Sequence, residues 1–410
     1  MKVTPPLLAV VCAWMLAATP DVTAAPRRGA FAFHYGSPLT REEVDWYGRF
    51  DVLVTHDPLP PAQVSELHRR GTRLVLYEWS IAFYGKLVKD GSWERSLLRS
   101  GSAVLLNERG LRGGVGAVDA DAWYFDPAEN EHTEARSEQI ARRLEKIRYD
   151  GVFLDTTRFE SVHPVARREY SRRHPTVSYD QAYARFLERL RKKLGSKIIF
   201  TNQGFRAAEF YLPYADWDLT ESFVTYPRNG RFTERRWNDP NDPWNSISHI
   251  LRELILPAAL KYPKVRFGHL NYLSSRNRDA IALVVATALL HGAEGYAVGN
   301  GIEQERDLIY FIDLGKPVSD VTAAEEGAAS YRVFEDGVVV VVTSASGVRL
   351  RDPLFVGGSF CDRASGTRYP GGKPIFLTGS RDGKPRGYLL SRVERGSSDC
   401  SGAGSGPSGR

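Results

Sequence analysis

Short apolar runs that end in polar or aromatic residues recur along the first three quarters of the chain, and segments with helical spacing separate most of them. A continuous apolar run of about four to eight residues is typical of a strand buried on both faces, whereas apolar residues spaced three and four apart are typical of a helix. The runs predict eight strands. They are AFAFHYG (30–36), DVLVTHD (51–57), RLVLYEW (73–79), GVFLDT (151–156), KIIFTNQG (197–204), DWDLTESF (216–223), VRFGHLNY (265–272) and EGYAVGN (294–300).

Helical patterns lie between most of these predicted strands. One of them, EARSEQIARRLEKIRYDG, precedes the fourth strand and carries Ile140, Leu144 and Ile147 at spacings of four and three. Strands that alternate with helices predict an α/β fold, and eight such units predict a (β/α)8 TIM barrel, here over residues 30–317. An open doubly wound sheet is the alternative, but no glycine-rich phosphate loop follows the first strand, and the count of eight favours closure.

Two insertions interrupt the alternation, at residues 80–130 and at residues 224–245. Each follows a predicted strand and would lie at the C-terminal face of the barrel, where long loops usually build the site. The second insertion is polar apart from its aromatic residues, which include two tryptophans.

The pattern changes after Pro317. SYRVFEDGVVVVVTSAS combines a strand, a DG turn and a second strand, and KPIFLTG and RGYLLSRV add further short strands. These features predict a small β-rich, sandwich-like domain over residues 318–395. The last residues, 396–410, are rich in glycine and serine and predict a disordered tail.

The first 25 residues have the organisation of a secretory signal peptide. Lys2 gives a positive start, LLAVVCAWMLAA is an apolar run of twelve, and DVTAAP offers small residues for cleavage after Ala24. Such a run is too short to cross a bilayer, which takes about 20 residues in a helix. We therefore expect residues 1–25 to be removed and the mature chain to be secreted, periplasmic or extracellular, with no membrane-spanning segment.

Charge and cysteine content narrow the choice of partners. The formal net charge is +6, and the basic residues are spread rather than clustered, so nucleic acid has little support as a partner. The mature chain keeps Cys361 and Cys400, which could pair in an oxidising compartment and close a loop of about 40 residues. The sequence leaves this pairing open. We expect a monomer.

Two carboxylates occupy the ends of predicted strands. Asp155 ends the fourth run and Glu221 ends the sixth, so one strand would separate them in the barrel. Side chains at the C-terminal ends of barrel strands converge on one mouth. Glycoside hydrolysis uses two carboxylates that flank one bond, one as nucleophile or base and the other as acid. Two independent helix caps or ion pairs are the structural alternative.

The other strand ends carry polar and aromatic side chains suited to binding sugar hydroxyls and stacking on sugar rings. The candidate substrate-binding residues are Tyr35, His56, Asp57, Tyr77, Trp79, Arg158, Asn202, Asn271 and Tyr272. Glu78 lies between Tyr77 and Trp79 at the end of the third predicted strand. It could point away from the site, because adjacent residues of a strand face opposite sides. The chain lacks HxH and HExxH spacings, so we expect neither a metal ion nor another cofactor.

Four motifs carry a family resemblance: DGVFLDT after a helix, FTNQG in the fifth strand, DLTESF ending the sixth, and YFIDLGKP closing the barrel. In these motifs the chain resembles secreted glycoside-hydrolase-like barrels that include the endo-α-1,4-polygalactosaminidases (glycoside hydrolase family 114). The resemblance covers roughly residues 30–317 and implies that Asp155 is the nucleophile and Glu221 the acid/base, with Asn202 and Tyr77 in the pocket. The THDP ending of the second strand and the length of the first insertion depart from the family pattern.

The sequence supports two functions from different classes. The first is a secreted glycoside hydrolase that cleaves an extracellular or envelope polysaccharide. The second is a non-catalytic carbohydrate-binding barrel that takes part in polysaccharide export or surface assembly. The presence of both carboxylates favours the enzyme. A neutral or partly acetylated polymer fits the net charge of +6 better than a cationic one. The sugar, its linkage, endo or exo action and the stereochemical outcome stay open at this point.

Overall fold

The computed structural model describes residues 29–80, 82–84, 122–124, 126–155, 157, 159–228, 231–274, 277–299, 303–304, 306–351, 353–379, 384–393 and 400. The expected signal peptide, the expected tail apart from residue 400, and most of the first insertion lie outside these ranges. Among the helices within these ranges, none combines the length and the apolar composition that crossing a bilayer requires.

Thirteen strands occupy the first three quarters of the described chain. Eight of them run parallel and follow one another around the main sheet in chain order, as the apolar runs predict, so the predicted barrel is confirmed. The strands are β1 (Gly29–His34), β2 (Phe50–Thr55), β3 (Arg73–Trp79), β4 (Ala82–Tyr84), β5 (Ala122–Tyr124), β6 (Gly151–Asp155), β7 (Ile198–Asn202), β8 (Trp217–Glu221), β9 (Thr225–Arg228), β10 (Arg231–Glu234), β11 (Arg266–Leu273), β12 (Glu294–Gly299) and β13 (Glu303–Gln304).

The parallel strands are β1, β2, β3, β6, β7, β8, β11 and β12. Strand β13 pairs antiparallel with β12. The remaining four strands form two hairpin-like pairs within the insertions. Strands β4 and β5 belong to the first insertion, and β9 and β10 belong to the second. Because β9 follows β8 directly, the second pair lies at the end of the strand that carries Glu221.

Helices connect the parallel strands on the outside of the barrel. They are α1 (Arg41–Tyr47), α2 (Pro61–Arg69), α3 (Asn130–Ile147), α4 (Pro164–Arg173), α5 (Tyr179–Leu194), α6 (Ala208–Tyr211), α7 (Ile247–His249, a π-helical Ile250–Ile255 and Leu256–Lys261) and α8 (Arg278–Leu290). Helix α8 is buried along almost its whole length, because the barrel packs on one side of it and the C-terminal region on the other.

Helix α5 shows how local sequence sets the boundaries of these elements. Ser178 caps its first turn by accepting a hydrogen bond from the backbone N–H of Gln181, whose side chain bonds back to the backbone of Ser178. Ala182, Phe186 and Leu190 follow at four-residue spacing and are buried, which presents one apolar face to the sheet. Gly195 ends the helix with a φ of +58°, a conformation that glycine adopts without strain.

Aromatic rings fill the interior of the barrel. The rings of Phe33 and Phe153 meet edge to face at 5.1 Å, and those of Phe31 and Phe200 at 6.0 Å. Gly268 on β11 makes room for Phe31, since a Cβ at that position would lie 2.6 Å from the ring. The interior is therefore a packed core, and it supports the side chains at the C-terminal ends of the strands.

The C-terminal region is β-rich, as predicted. A six-stranded antiparallel-paired sheet has the order β14-β15-β16-β21-β18-β19, and β17 pairs with β20. The strands are β14 (Thr322–Ala324), β15 (Ala329–Phe334), β16 (Gly337–Val342), β17 (Val348–Leu350), β18 (Ser359–Asp362), β19 (Arg368–Tyr369), β20 (Ile375–Leu377) and β21 (Arg386–Val393), with α9 (Pro353–Gly357) between β17 and β18. A disulfide joins Cys361 to Cys400, which answers the question that the sequence left open.

Strand β16 connects two hydrophobic cores. Val339 and Val341 belong to the core that includes the barrel, whereas Val338 and Val340 belong to the separate core of the C-terminal region. Alternate residues of a strand face opposite sides, so the run GVVVVV is buried on both faces. The C-terminal sheet therefore packs directly against α8 through β16 and β21.

The sheet approaches α8 closely at Gly387. A Cβ on Gly387 would lie 2.6 Å from the Cα of Leu283 and 2.7 Å from the carbonyl oxygen of Ala282, both backbone atoms. We expect Gly387→Ala to push β21 away from α8 and to lower the free energy of unfolding by about 1–3 kcal/mol, the usual cost of overpacking. Urea unfolding measures the change.

Gly357 provides the matched control. A Cβ there meets no atom within 4 Å, so Gly357→Ala is expected to leave the stability within about 0.5 kcal/mol of the wild type, as for most surface substitutions. Equal midpoints for Gly387→Ala and Gly357→Ala would contradict the described packing of β21 on α8.

Candidate active site

Three neighbouring strands end in polar side chains that meet at the barrel mouth. Asp155 ends β6, Asn202 ends β7 and Glu221 ends β8. The side-chain nitrogen of Asn202 donates to Asp155 Oδ1 at 2.7 Å and to Glu221 Oε2 at 2.8 Å. Because both oxygens bond the same nitrogen, they are no more than about 5.5 Å apart, which is within the range of carboxylate pairs that flank one glycosidic bond.

Each carboxylate also accepts a hydrogen bond from a tyrosine. Tyr77 donates to Asp155 Oδ2, and Tyr272 donates to Glu221 Oε1 at 2.8 Å. The hydroxyl of Tyr272 lies 3.1 Å from that of Tyr35, and either of the two can be the donor. Burial raises the pKa of Tyr35, Tyr77 and Tyr272, so these phenols stay protonated and serve as donors.

An aromatic wall stands beside Asp155. The imidazole of His56 stacks on Tyr77, with 3.8 Å between the ring centroids, and lies 4.5 Å from the ring of Tyr35. Burial lowers the pKa of His56 to about 4. The negative charges of Asp155 and Asp57 raise this pKa, but their effect is smaller than that of burial. His56 is therefore neutral near pH 7 and presents a flat, uncharged ring to the cavity.

The cavity between the carboxylates has a volume of about 70 Å³. Its lining residues are Phe33, Tyr35, His56, Tyr77, Phe153, Asp155, Leu219, Glu221, Leu270 and Tyr272. Four of these, Phe33, Phe153, Leu219 and Leu270, form an apolar floor, and each stands two positions before another lining residue that carries a polar atom, within its strand or just beyond the end of it. The two-residue period of a strand explains this arrangement and is a sequence signal by which the floor could have been predicted.

Tight turns hold two of the strand ends in place. Gln203 and Ser222, which directly follow Asn202 and Glu221, both adopt left-handed backbone conformations, with φ of 60° and 54°. Such conformations are strained for residues with a side chain and tend to occur at functional sites. The buried carboxylate of Asp218 supports the first turn by accepting hydrogen bonds from the backbone N–H groups at 204 and 205, and burial raises its pKa to about 7.

Not every residue predicted for the site lines the cavity. Asn271 faces the opposite side of β11 from Tyr272, where its buried Oδ1 accepts from the N–H groups of residues 224 and 225 and fixes the start of β9. Asp57 is exposed beyond the end of β2, and Trp79 packs edge to face on Tyr77 outside the lining. The position of Arg158 lies outside the described residues.

Glu78 points outward, as its place between Tyr77 and Trp79 predicted. Its carboxylate is buried against α3, where it accepts hydrogen bonds from Arg136 and Arg143. Glu78 therefore forms structural ion pairs with α3 on the outer face of the barrel sheet.

Among the described residues, one cluster has the donor atoms and spacing of a metal site: Asp126, Glu129 and His174. Asp126 Oδ2 already lies 2.8 Å from His174 Nε2 and 3.7 Å from Arg173 Nη1, and its other oxygen accepts from the backbone N–H of Ala128. These contacts satisfy the carboxylate, and none of the three residues lines the cavity.

Solved structures that are similar to this chain include three carbohydrate-active proteins. The glycoside hydrolase domain of PelA from Pseudomonas aeruginosa is 20% identical, with a TM-score of 0.50, and the match covers 67% of this chain and 96% of that domain. Aspergillus fumigatus Ega3 in complex with galactosamine is 8% identical, with a TM-score of 0.43, over 68% of this chain and 94% of Ega3. An Anoxybacillus alpha-amylase is 11% identical, with a TM-score of 0.49, over 90% of this chain and 98% of the amylase.

The chain has the barrel fold of the PelA glycoside hydrolase domain. The fold that the sequence resemblance implied, a glycoside-hydrolase-like barrel, is thereby confirmed. No protein-family model matches the chain, and no curated protein matches it. At 20% identity the likeness establishes the fold, and the chemistry depends on the residues at the mouth.

His269, also on β11, is a buried histidine that faces away from the cavity. Its ring stacks on Phe223 at 4.6 Å, and burial lowers its pKa to about 3. The folded protein therefore keeps this imidazole neutral at pH 5, whereas an unfolded histidine takes up a proton below about pH 6.5. Because the unfolded state binds the extra proton, His269 makes folding less favourable as the pH falls from about 6.5 toward 3.

We expect His269→Phe, which keeps a flat ring beside Phe223, to reduce this pH dependence. Between pH 7 and pH 5 the free energy of unfolding of the wild type should fall by up to about 2 kcal/mol more than that of the variant. Urea titrations of both proteins at the two pH values measure the difference. An equal loss in both proteins would mean that His269 is protonated in the folded state.

Proposed function

We propose that this protein is a glycoside hydrolase that cleaves an extracellular or envelope polysaccharide with Asp155 and Glu221. The observation that carries the proposal is the pair of carboxylates, which face each other at the mouth of the barrel and are bridged by Asn202. The similarity of fold to the PelA glycoside hydrolase domain supports it. Two helix caps or two separate ion pairs would not require both carboxylates to turn toward one cavity.

The hydrogen bonds support different roles for the two carboxylates. Asp155 accepts from Tyr77 and from Asn202, one bond to each oxygen, so its carboxylate is held in a fixed orientation, as a nucleophile requires. Glu221 bonds the hydroxyl of Tyr272, which has Tyr35 as a second partner. When Glu221 is protonated, the hydroxyl of Tyr272 can accept a hydrogen bond from it and donate its own hydrogen to Tyr35. Glu221 can therefore hold the proton that a general acid gives away.

The separation of the carboxylates supports a retaining reaction. In this scheme Asp155 attacks the anomeric carbon, and Glu221 gives its proton to the glycosidic oxygen as that bond breaks. The glycosyl unit is then held as an ester of Asp155. Glu221, now ionised, takes a proton from water, whose oxygen attacks the anomeric carbon and releases Asp155. An inverting enzyme needs roughly 6.5–9.5 Å between the groups to place a water, whereas the two oxygens that share the amide are no more than about 5.5 Å apart.

The surroundings of the pair favour this chemistry. The apolar floor and the neutral ring of His56 exclude water, which strengthens the attraction between the carboxylates and the positive charge that develops on the sugar. Among the described residues that line the cavity there is no lysine or arginine. The carboxylates of Asp155 and Glu221 would therefore repel an acidic sugar without compensation from a basic side chain of this lining. We propose a neutral or partly acetylated polymer as the substrate, including one built from amino sugars.

We propose that the protein acts outside the cytoplasm as a monomer. The disulfide between Cys361 and Cys400 supports an oxidising compartment. The apolar run near the N-terminus predicts export, and N-terminal sequencing of the mature protein would test it by finding a start near residue 25.

Asp155→Asn and Glu221→Gln should each lower turnover about a hundredfold or more, the low end of what a positioned acid or base contributes. Both replacements keep the shape of the side chain, and an amide can still accept from Asn202, so we expect melting temperatures close to wild type. The measurement is reducing-end release from a panel of partly acetylated poly-α-1,4-galactosamine, partly acetylated chitosan, dextran and soluble starch.

Asp57→Asn is the matched control, because it neutralises an exposed carboxylate outside the cavity and should hydrolyse at the wild-type rate. If the melting temperatures of both test variants lie well below that of the wild type, the result would favour the alternative in which the two carboxylates are independent helix caps or ion pairs. Normal hydrolysis by both would place the site elsewhere. Binding without hydrolysis by the wild type would indicate a non-catalytic carbohydrate-binding barrel.

The stereochemical outcome is a separate prediction of the carboxylate spacing. We expect the first sugar product to keep the anomeric configuration of the substrate. Proton NMR of the anomeric signals in the first minutes of hydrolysis, before mutarotation, measures it. Inversion in the first product would show that the carboxylates move apart when the substrate binds.

A further inference from the structure

Trp244 is the most exposed tryptophan among the described residues, with 71% of its surface accessible. It lies in the short 3-10 turn Pro243–Asn245 of the second insertion. Tryptophan buries a large apolar area when it makes contacts, and aromatic side chains are prominent among the residues that line ligand sites. Trp237, the other tryptophan of this insertion, is buried, so the two have different roles.

Hydrogen bonds and a ring contact hold the turn that carries Trp244. The side chain of Asn245 donates to Asp242, the hydroxyl of Ser246 donates to the carbonyl of Pro243, and the ring of His249 packs edge to face on Trp244 at 4.8 Å. A ring that is fixed before a ligand arrives loses little conformational entropy on binding. An exposed but immobilised indole is thus a prepared contact surface.

Arg235 connects this turn directly to the catalytic strand end. Its Nε donates to the carbonyl of Ser222, the residue after Glu221, and its Nη1 donates to the carbonyl of Asn245, the residue after Trp244, both at 3.2 Å. Since one planar guanidinium spans the two bonds, these carbonyl oxygens are no more than about 9 Å apart. A short oligosaccharide that leaves the cavity spans such a distance.

The neighbouring hairpin makes a continuous path from the cavity toward this turn. Phe232 on β10 stacks on Tyr272, with 5.3 Å between the centroids, and Tyr272 bonds Glu221. Strand β10 ends at Glu234, and Arg235 follows at once. Arg235 also lies over the ring of Tyr226 on β9, at 4.5 Å. The same segment therefore contacts Tyr272, which bonds Glu221, and the turn of Trp244.

The size of the cavity requires binding surface outside it. Its volume of about 70 Å³ is far below the roughly 300–1,000 Å³ of typical ligand pockets. Most of the contact area for a polymer must then come from the surrounding loops. The exposed side chains next to Trp244, Asp242 and Asn245, offer the polar atoms that hydroxyl groups of a sugar would bond.

We propose that Trp244 is a stacking platform for a pyranose ring of the substrate, outside the sugars held at the carboxylates, and that the enzyme thereby binds internal segments of a chain. This inference rests on the proposed hydrolase function. The apolar C–H face of a pyranose fits a flat, exposed indole. Trp244 is then a determinant of specificity for polymers over short oligosaccharides.

Binding is tested in the inactive Asp155→Asn background by affinity electrophoresis in gels that contain the polymers of the panel. Adding Trp244→Ala should weaken binding of the recognised polymer roughly five- to tenfold, the loss of one aromatic contact. Trp244→Phe keeps a ring, and its affinity for the polymer should stay within about twofold of the parent.

A kinetic experiment uses the active protein. Trp244→Ala should raise KM for the polymer while kcat/KM for the shortest cleaved oligosaccharide stays unchanged.

Leu260→Ala is the control for the loss of an exposed apolar side chain. Leu260 is 82% exposed near the end of α7, which precedes the opposite end of the barrel strands, and its removal should change neither binding nor KM. Unchanged melting temperatures for all variants would show that folding is intact. Binding by Trp244→Ala equal to that of the parent would overturn the inference alone. Absence of both binding and cleavage in the wild type would overturn the proposed function, and with it this inference.

Discussion

The arrangement at the barrel mouth depends on one side-chain amide. Asn202 donates both of its hydrogens, one to Asp155 and one to Glu221, and so sets the distance between two groups that would otherwise repel each other. When both are ionised, two negative charges no more than about 5.5 Å apart repel each other by roughly 3 kcal/mol or more at an effective dielectric constant near 20. Hydrogen bonds to charged groups contribute about 1.5–3 kcal/mol each. The bridge is therefore strong enough to hold the pair together.

The rest of the structure keeps that amide in place. Asn202 is the last residue of β7, and the turn after it is held by Asp218 from the neighbouring strand. The hydroxyl of Thr157, which follows the end of β6, donates to the backbone carbonyl of Asn202. Aromatic packing inside the barrel fixes the strands below. A rigid scaffold of this kind is what a catalytic pair needs, because small displacements of the reacting groups reduce rates strongly.

The second insertion and the C-terminal region pack around this centre. The pair β9–β10 brings Phe232 onto Tyr272 and leads to the turn of Trp244. The C-terminal sheet packs on α8, on the outside of the barrel, through alternate residues of β16 and through β21. Lys384 of this region bonds Glu234 at the end of β10, so the sheet also steadies the hairpin that borders the mouth.

The sequence by itself predicted the barrel, because continuous apolar runs are typical of strands buried on both faces, and eight of them alternating with helices favour a closed sheet over an open one. It also determined that Asp155 and Glu221 would meet, since both end strands whose C-terminal ends share one mouth. Only the tertiary structure decided which face each neighbour takes: Tyr272 faces the cavity and Asn271 the loop behind it. Face depends on register, and a shift of one residue reverses it. Tertiary structure alone also brought Tyr35 to Tyr272, 237 positions away, and Cys361 to Cys400, because hydrogen bonds and disulfides between distant segments leave no periodic trace in a sequence.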